Sequence, residues 1–192
     1  MPVDLDYVKK YSSPYGCPSF DNCKNIEKII YTKGKTGIMP DRDETLYWTV
    51  EYCVGENLTT IEFEEGVKNI GARAYYSHTS GDEGGLKNIK LASTVKKIGD
   101  YAFLDDKSIT DFDFSNIEEL GEGSFYGCSG LSNLSISEDL KEIPESCFFG
   151  CKGLRVLKIP ETIETVCENA FRYCSGIKEL TLPVDLDYVK TD

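Results

Sequence analysis

Residues 154–177 read LRVLKIPETIETVCENAFRYCSGI, and this stretch decides the fold because its pattern recurs along the chain. The first apolar residue of each copy falls at Leu58, Leu86, Ile109, Leu131, Leu154 and Ile177, in steps of 28, 23, 22, 23 and 23 residues. A period of about 23 residues is typical of repeat proteins whose units stack on one another. One copy cannot bury its own apolar residues, so stacking is what creates a core.

Each repeat divides into two extended pieces and a return segment. Leu157 and Ile159 alternate inward as in a strand, and Ile163 begins a second extended piece. Apolar residues three apart in 170–177 fit one helical turn that brings the chain back to the next repeat. The sequence therefore predicts an α/β, right-handed solenoid of about seven rungs, with short strands on one face and short helical turns on the return side.

Two segments depart from the period. Residues 76–85 add a Gly-rich stretch, which predicts a loop insertion. Residues 32–57 form a non-repeat insertion or helical segment, in which acidic residues at 41–44 precede an amphipathic pattern. We expect this segment to be a longer version of the ordinary return segment, and a side arm on the solenoid is the alternative.

The octapeptide PVDLDYVK occurs at residues 2–9 and again, unchanged, at residues 183–190. Identical copies so far apart indicate a larger repeat that contains the small ones. We therefore expect residues 1–192 to form a single solenoid domain that is one module of a longer tandem array. End-to-end self-stacking of such modules is an expected association.

The chain carries 33 acidic and 21 basic residues, which gives a formal net charge of −12. A protein of this charge repels phosphate groups, so neither nucleic acid nor an anionic membrane is an expected partner. The sequence contains no run of about 18 apolar residues, and direct insertion into a membrane is therefore not expected.

Most of the eight cysteines follow the repeat. The cysteines in phase with it are Cys23, Cys128, Cys147, Cys151 and Cys174. A cysteine at a repeated core position behaves as a small buried hydrophobe, so we expect an unbridged ladder rather than a disulfide framework. Asp106 takes the ladder position in one repeat. Cys17 and Cys53 lie outside the repeat frame and are the candidates for reactive or paired thiols.

Neither a metal site nor a catalytic site is predicted. The close pair Cys147 and Cys151 has packing roles, and no acidic cluster has the spacing of a calcium loop. His78, the single histidine, lies in the Gly-rich insertion without an orienting partner, which argues against a Cys-His dyad. We expect no enzyme activity, no cofactor and no bound metal.

The motifs IGDYAF at 98–103 and AFRYCSGI at 170–177 resemble the BspA-like leucine-rich repeats. The resemblance covers residues 58–192 well and residues 2–31 in part. It implies a leucine-rich-repeat solenoid from a large secreted or cell-surface protein, with the signal and anchor outside the given sequence. It also implies recognition rather than catalysis, and the expected partner is a protein or glycoprotein of a host or neighbouring cell.

Residues that alternate with the inward apolar positions of a strand must point outward, and they define the candidate binding surface. The predicted ligand-binding residues of this strand face are Thr60, Glu62, Asn88, Lys90, Asp111, Asp113, Asn133, Ser135, Val156, Lys158, Glu179 and Thr181. An alternative anchor is the aromatic group Tyr47, Trp48 and Tyr52. We expect a non-catalytic protein-binding or adhesion module, and the alternative is a structural spacer or stalk with no ligand of its own.

Overall fold

The computed structural model describes residues 23, 25–39, 41, 57–76 and 85–189. Within these ranges the chain repeats a unit of two short extended pieces and a turn segment. The strands are β1 Lys28–Tyr31, β2 Thr60–Phe63, β3 Asn69–Ile70, β4 Asn88–Lys90, β5 Lys97–Ile98, β6 Glu119–Leu120, β7 Glu142–Ile143, β8 Val156–Lys158, β9 Thr165–Cys167, β10 Glu179–Thr181 and β11 Asp187–Val189.

Every pairing among these strands is parallel, and the sheets stay open. One face of the repeats carries the sheets β1-β2-β4 and β10-β8, and a second face carries β3-β5-β6 and β11-β9-β7. Short strands were expected on one face only, and the second extended piece of the repeat makes the additional set. Residues 109–114 and 131–136 occupy the first-face positions of their repeats without forming strands.

The core is a stack of equivalent residues from successive repeats. The rings of Tyr75, Phe103, Phe125, Phe148 and Phe171 form one column, with centroids 5.4, 5.2, 5.6 and 5.3 Å apart and interplanar angles of 26° or less. The three central phenylalanines are fully buried. Because the repeat places one ring directly over the next, each aromatic side chain is buried by its neighbours rather than by its own repeat.

The prediction of helical turns on the return side is wrong for the described residues, which contain no helix. Successive backbone N–H groups instead alternate between acceptors in the same repeat and acceptors in the next. The N–H of Phe149 donates to the carbonyl of Ser146 in its own turn at 3.0 Å. The N–H of Phe148 donates to the carbonyl of Ala170 in the next repeat at 2.8 Å. Ser146 and Gly150 have left-handed φ angles of 53° and 72°. These angles interrupt the unbroken right-handed run that a helix needs.

The two departures from the period are only partly described. Asp41 accepts a hydrogen bond at 2.8 Å from the N–H of Ala72, which ties residue 41 to the turn segment at residues 72–76. The helix predicted after residue 41 and most of the loop insertion predicted at 76–85 lie outside the described residues. No described residue belongs to a helix long and apolar enough to cross a membrane.

Candidate functional site

The strand face presents the predicted residues in two columns. Thr60 and Glu62 flank the fully buried Ile61 on β2, and the register places Asn88 beside Thr60 and Lys90 beside Glu62. The Asn88 amide donates a hydrogen bond of 3.4 Å to the Thr60 hydroxyl. The structure thus brings these four residues together on the neighbouring strands β2 and β4.

A second group of predicted residues meets near the other end of the described chain. The register of β8 and β10 pairs Val156 with Glu179 and Lys158 with Thr181, and all four side chains are exposed. Val156 has half of its surface exposed, although Leu157, its neighbour on β8, is buried. Alternation of the strand therefore explains an exposed valine here without any ligand.

The four predicted residues between these groups lie on segments that are not strands. Asp111, Asp113, Asn133 and Ser135 are all exposed. The Asp113 carboxylate accepts the N–H of Ser115 at 2.9 Å, and its hydrogen bonds to Ser115 lower the pKa of Asp113. This carboxylate therefore stabilises a local turn and is only partly available to a ligand. The alternative anchor, Tyr47, Trp48 and Tyr52, lies outside the described residues.

Charge on the strand face is organised around Glu62. Its carboxylate pairs with Lys28 of β1 and lies 3.9 Å from the ammonium of Lys90 on β4. The hydrogen bond from Lys28 is the main reason that the pKa of Glu62 is lowered. Lys28 was not among the predicted site residues because residues 32–57, which do not follow the repeat, separate it from the copy that begins at Leu58. Its position directly before the inward Ile29 could have predicted it, because successive residues of a strand point to opposite faces.

Sequence analysis also missed an aromatic group on the turn segments. We call Tyr126, Phe149, Arg172 and Tyr173 the turn-face aromatic cluster. The rings of Tyr126 and Phe149 stack at 4.4 Å and 7°, and Tyr173 meets Phe149 edge to face at 5.0 Å and 86°. Tyr173 is 59% exposed. The available signal was the position directly after the core aromatic of each repeat, which holds Tyr126, Phe149 and Arg172; Tyr173 lies one residue further on.

An acidic column runs along the same turn segments. It consists of Asp100, Glu122, Glu145 and Glu168. Backbone bonds stack this column: the carbonyls of Glu122, Glu145 and Glu168 accept N–H groups of the preceding repeat at 2.8, 3.0 and 3.1 Å. The Tyr101 hydroxyl donates a hydrogen bond to the Glu122 carboxylate. Burial, and then Glu122 and the other nearby carboxylates, raise the pKa of Tyr101.

The predicted cysteine ladder is confirmed for Cys128, Cys147, Cys151 and Cys174, which are buried, whereas Cys23 is only half-buried. The thiols of Cys151 and Cys174 donate to the carbonyls of Phe125 and Phe148 in the preceding repeat, at 3.2 and 3.0 Å. Burial is the main cause that raises the pKa of Cys174 to about 11. A buried thiol that stays protonated is a poor nucleophile. The unbridged cysteines of the described chain are Cys23, Cys128, Cys147, Cys151, Cys167 and Cys174. Cys17 and Cys53 lie outside the described residues.

Asp106 fills the ladder position in its repeat and is fully buried. Its carboxylate accepts the N–H groups of Leu86 at 3.3 Å and of Ser108 at 3.1 Å. This group ties two repeats together and is enclosed, so it has a structural role. Among the described residues, no group of three or more His, Cys, Asp or Glu side chains could hold a metal ion. His78 lies outside the described residues.

Known proteins share the repeat and the fold. No curated protein sequence matches the chain. A leucine-rich repeat protein from Bacteroides ovatus is similar in structure, with a TM-score of 0.65 and 24% identity over 88% of this chain and 40% of that one. A leucine rich cell surface protein from Faecalibacterium prausnitzii has a TM-score of 0.67 and 23% identity over 87% of this chain and 44% of that one.

A leucine-rich repeat protein from T. pallidum is also similar, with a TM-score of 0.63 and 23% identity over 84% of this chain and 78% of that one. At such identities the likeness shows the fold alone. The chain spans less than half the length of the Bacteroides and Faecalibacterium proteins. A family model described as the BspA type leucine-rich repeat region matches six copies over residues 82–192. Because this match covers more than half of the sequence, the chain belongs to the BspA-type leucine-rich repeat family.

Proposed function

We propose that this chain is a non-catalytic protein-binding module of a larger cell-surface or secreted protein, built as a right-handed solenoid of about seven rungs. The observation that carries the proposal is the open strand face, where outward side chains of successive repeats line up in register. The family match supports it, as does the name of the Faecalibacterium protein, which describes a cell surface protein. The partner is a protein or glycoprotein of a host or neighbouring cell.

The site of this function is the strand face. Main-chain groups in a parallel sheet are paired with neighbouring strands, so recognition falls to the outward side chains. Lys90, Asp113 and Lys158 are charged and exposed, and they lie on three different repeats of the face. Charges at such a surface steer a partner and select among partners more than they add affinity.

The test is binding of the purified chain to immobilised matrix proteins, mucins and epithelial cells. The triple variant Lys90→Glu, Asp113→Lys and Lys158→Glu should lose saturable binding while the chain stays folded, with a slightly lower melting temperature because the Asp113 carboxylate no longer accepts the N–H of Ser115. A matched triple variant, Lys68→Glu, Asp139→Lys and Lys141→Glu, makes the same change in net charge at exposed positions away from the strand face. We expect this control to bind as the unchanged chain does.

The spacer function gives a different result in the same assay. A stalk module binds none of these surfaces while remaining folded, and it gains stability when a second module is joined to its end, because neighbouring repeats stabilise each other. Equal loss of binding in both triple variants would assign the effect to net charge and would refute the strand face as the site.

A further inference from the structure

The turn-face aromatic cluster has an unusual backbone feature. Tyr173 has a left-handed φ of 61°, whereas the equivalent positions of the two preceding repeats are Gly127 and Gly150, with φ angles of 75° and 72°. A tyrosine is strained in this conformation and a glycine is not. Tyr173 therefore occupies a left-handed position that the two preceding repeats fill with glycine, and its side chain is largely exposed.

The cluster already accepts a cation within the chain. The Arg172 guanidinium carbon lies 4.9 Å from the centre of the Tyr173 ring, and a second arginine, Arg73, lies 5.6 Å from the centre of the Tyr101 ring. Both distances are within the range of cation–π attraction. Both tyrosine rings thus attract a guanidinium group, and Tyr173 stays largely exposed although Arg172 covers part of its ring.

Charge on the turn segments favours the same kind of ligand. Glu145 precedes the aromatic Phe149 by four residues in one hydrogen-bonded turn, and Glu168 precedes Arg172 in the same way in the next repeat. The charge of Glu145 reaches a neighbouring group: burial is the main cause that raises the pKa of Cys167 to about 11, and Glu142 and then Glu145 add to it. A surface of this charge attracts cations and repels anionic glycans.

We propose that the turn face, made of the turn-face aromatic cluster and the acidic column, binds an arginine- or lysine-rich segment of a partner protein. Charge complementarity selects the occupant: the acidic column and a net charge of −12 favour a basic segment. Tyr173 and Phe149 supply ring surface for its cationic side chains, and Glu145 and Glu168 supply opposite charge. This inference rests on the proposed binding function and assigns it a second surface.

The test uses a fluorescently labelled peptide in which arginine and glycine alternate, with a second peptide that carries uncharged citrulline in place of arginine. Fluorescence anisotropy is measured with the full chain at an ionic strength of about 0.15 M. We expect the arginine peptide to bind at least tenfold more tightly than the citrulline peptide. Equal binding of the two peptides, or binding of neutral oligosaccharides alone, would overturn the proposal.

Variants locate the site. Tyr173→Gly copies the residue of the two preceding repeats and should weaken peptide binding about threefold to fivefold while the chain stays folded. Tyr173→Phe keeps the ring and should bind normally. Glu145→Gln with Glu168→Gln should weaken binding about fivefold, and Glu161→Gln with Glu164→Gln, which removes the same charge elsewhere, should not. Normal binding by Tyr173→Gly, or equal losses in the two Glu double variants, would refute the turn face as the site.

Matrix binding separates this proposal from the first one. The same Tyr173→Gly chain is assayed on the immobilised matrix proteins and cells. Loss of peptide binding with retained matrix binding supports two separate surfaces. Absence of any peptide binding, while the strand-face variant still loses matrix binding, would overturn the turn-face proposal and leave the proposed function intact.

Discussion

Asp106 provides a direct test of the repeat packing, because it places a carboxylate where other repeats place a thiol. The side chain is fully buried, and burial raises the pKa of Asp106 to about 6 against the opposing effect of hydrogen bonds from Leu86, Ser108 and Ile109. We compare the unchanged chain with Asp106→Cys, which restores the residue found at Cys128 in the next repeat.

The sign of the pH effect follows from the raised pKa. In the unfolded chain the pKa of Asp106 returns to about 3.8, so between that value and about 6 the folded state binds more protons. The stability that protonation contributes is complete below pH 3.8 and is lost as the pH rises through 6. The difference between the two pKa values corresponds to about 3 kcal/mol in total. About 1.4 kcal/mol of it is expected between pH 8 and pH 5.

Urea denaturation at pH 5, 6, 7 and 8 measures the effect, since the free energy of unfolding extrapolates linearly to water. These pH values stay above the isoelectric point of about 4.6. The free energy of unfolding of the unchanged chain minus that of Asp106→Cys should increase by about 1.4 kcal/mol from pH 8 to pH 5. Asp139→Asn, which removes an exposed carboxylate, controls for net charge. A difference that stays constant with pH would refute the burial of an ionisable carboxylate at this position.

Three further perturbations test the packing at other points. Phe125→Ala removes a fully buried ring from the middle of the aromatic column and should lower the free energy of unfolding by about 3–5 kcal/mol in urea titrations, so a loss below about 1 kcal/mol would contradict the stack. Gly99→Ala should cost about 1–3 kcal/mol because a Cβ atom would lie 2.4 Å from the backbone nitrogen of Ala72, and an unchanged melting temperature would argue against this approach. In native-state labelling with a maleimide followed by mass spectrometry, the half-buried Cys167 should react slowly because its pKa is raised to about 11, and the fully buried Cys151 should react more slowly still; labelling of both at equal rates would contradict the ladder.

Much of the fold could be predicted because the repeat states the same apolar pattern six times. Leu154, Leu157 and Ile159 were expected to point inward, and all three are buried. The cysteine ladder followed from the same reasoning, since a residue in phase with the core is stacked on its counterpart. The return segment was misread because apolar residues three apart occur both in a helical turn and in a chain of single turns.

The candidate site was less predictable for a related reason. Outward positions on a strand follow from alternation, so the strand face could be predicted one residue at a time. The carboxylate–ammonium pair between Glu62 and Lys28 depended on which distant repeat pairs with β2, and the long step between residues 31 and 58 hid that partner. The turn-face aromatic cluster could not be predicted from the sequence because its rings come from different repeats and meet only when the repeats stack.

The sequence by itself determined the stacking of repeats, the identity of the core and the sign of the surface charge, because each of these depends on a pattern that recurs with a constant period. The tertiary structure alone decided where the turn segments send their N–H groups and how their exposed side chains meet. The left-handed φ angles of Ser146 and Tyr173 could not be predicted from the sequence, because residues other than glycine normally avoid this conformation. At Ser146 the N–H group bonds the Glu168 carbonyl of the next repeat at 3.1 Å, so a contact between repeats, and not local preference, holds this conformation.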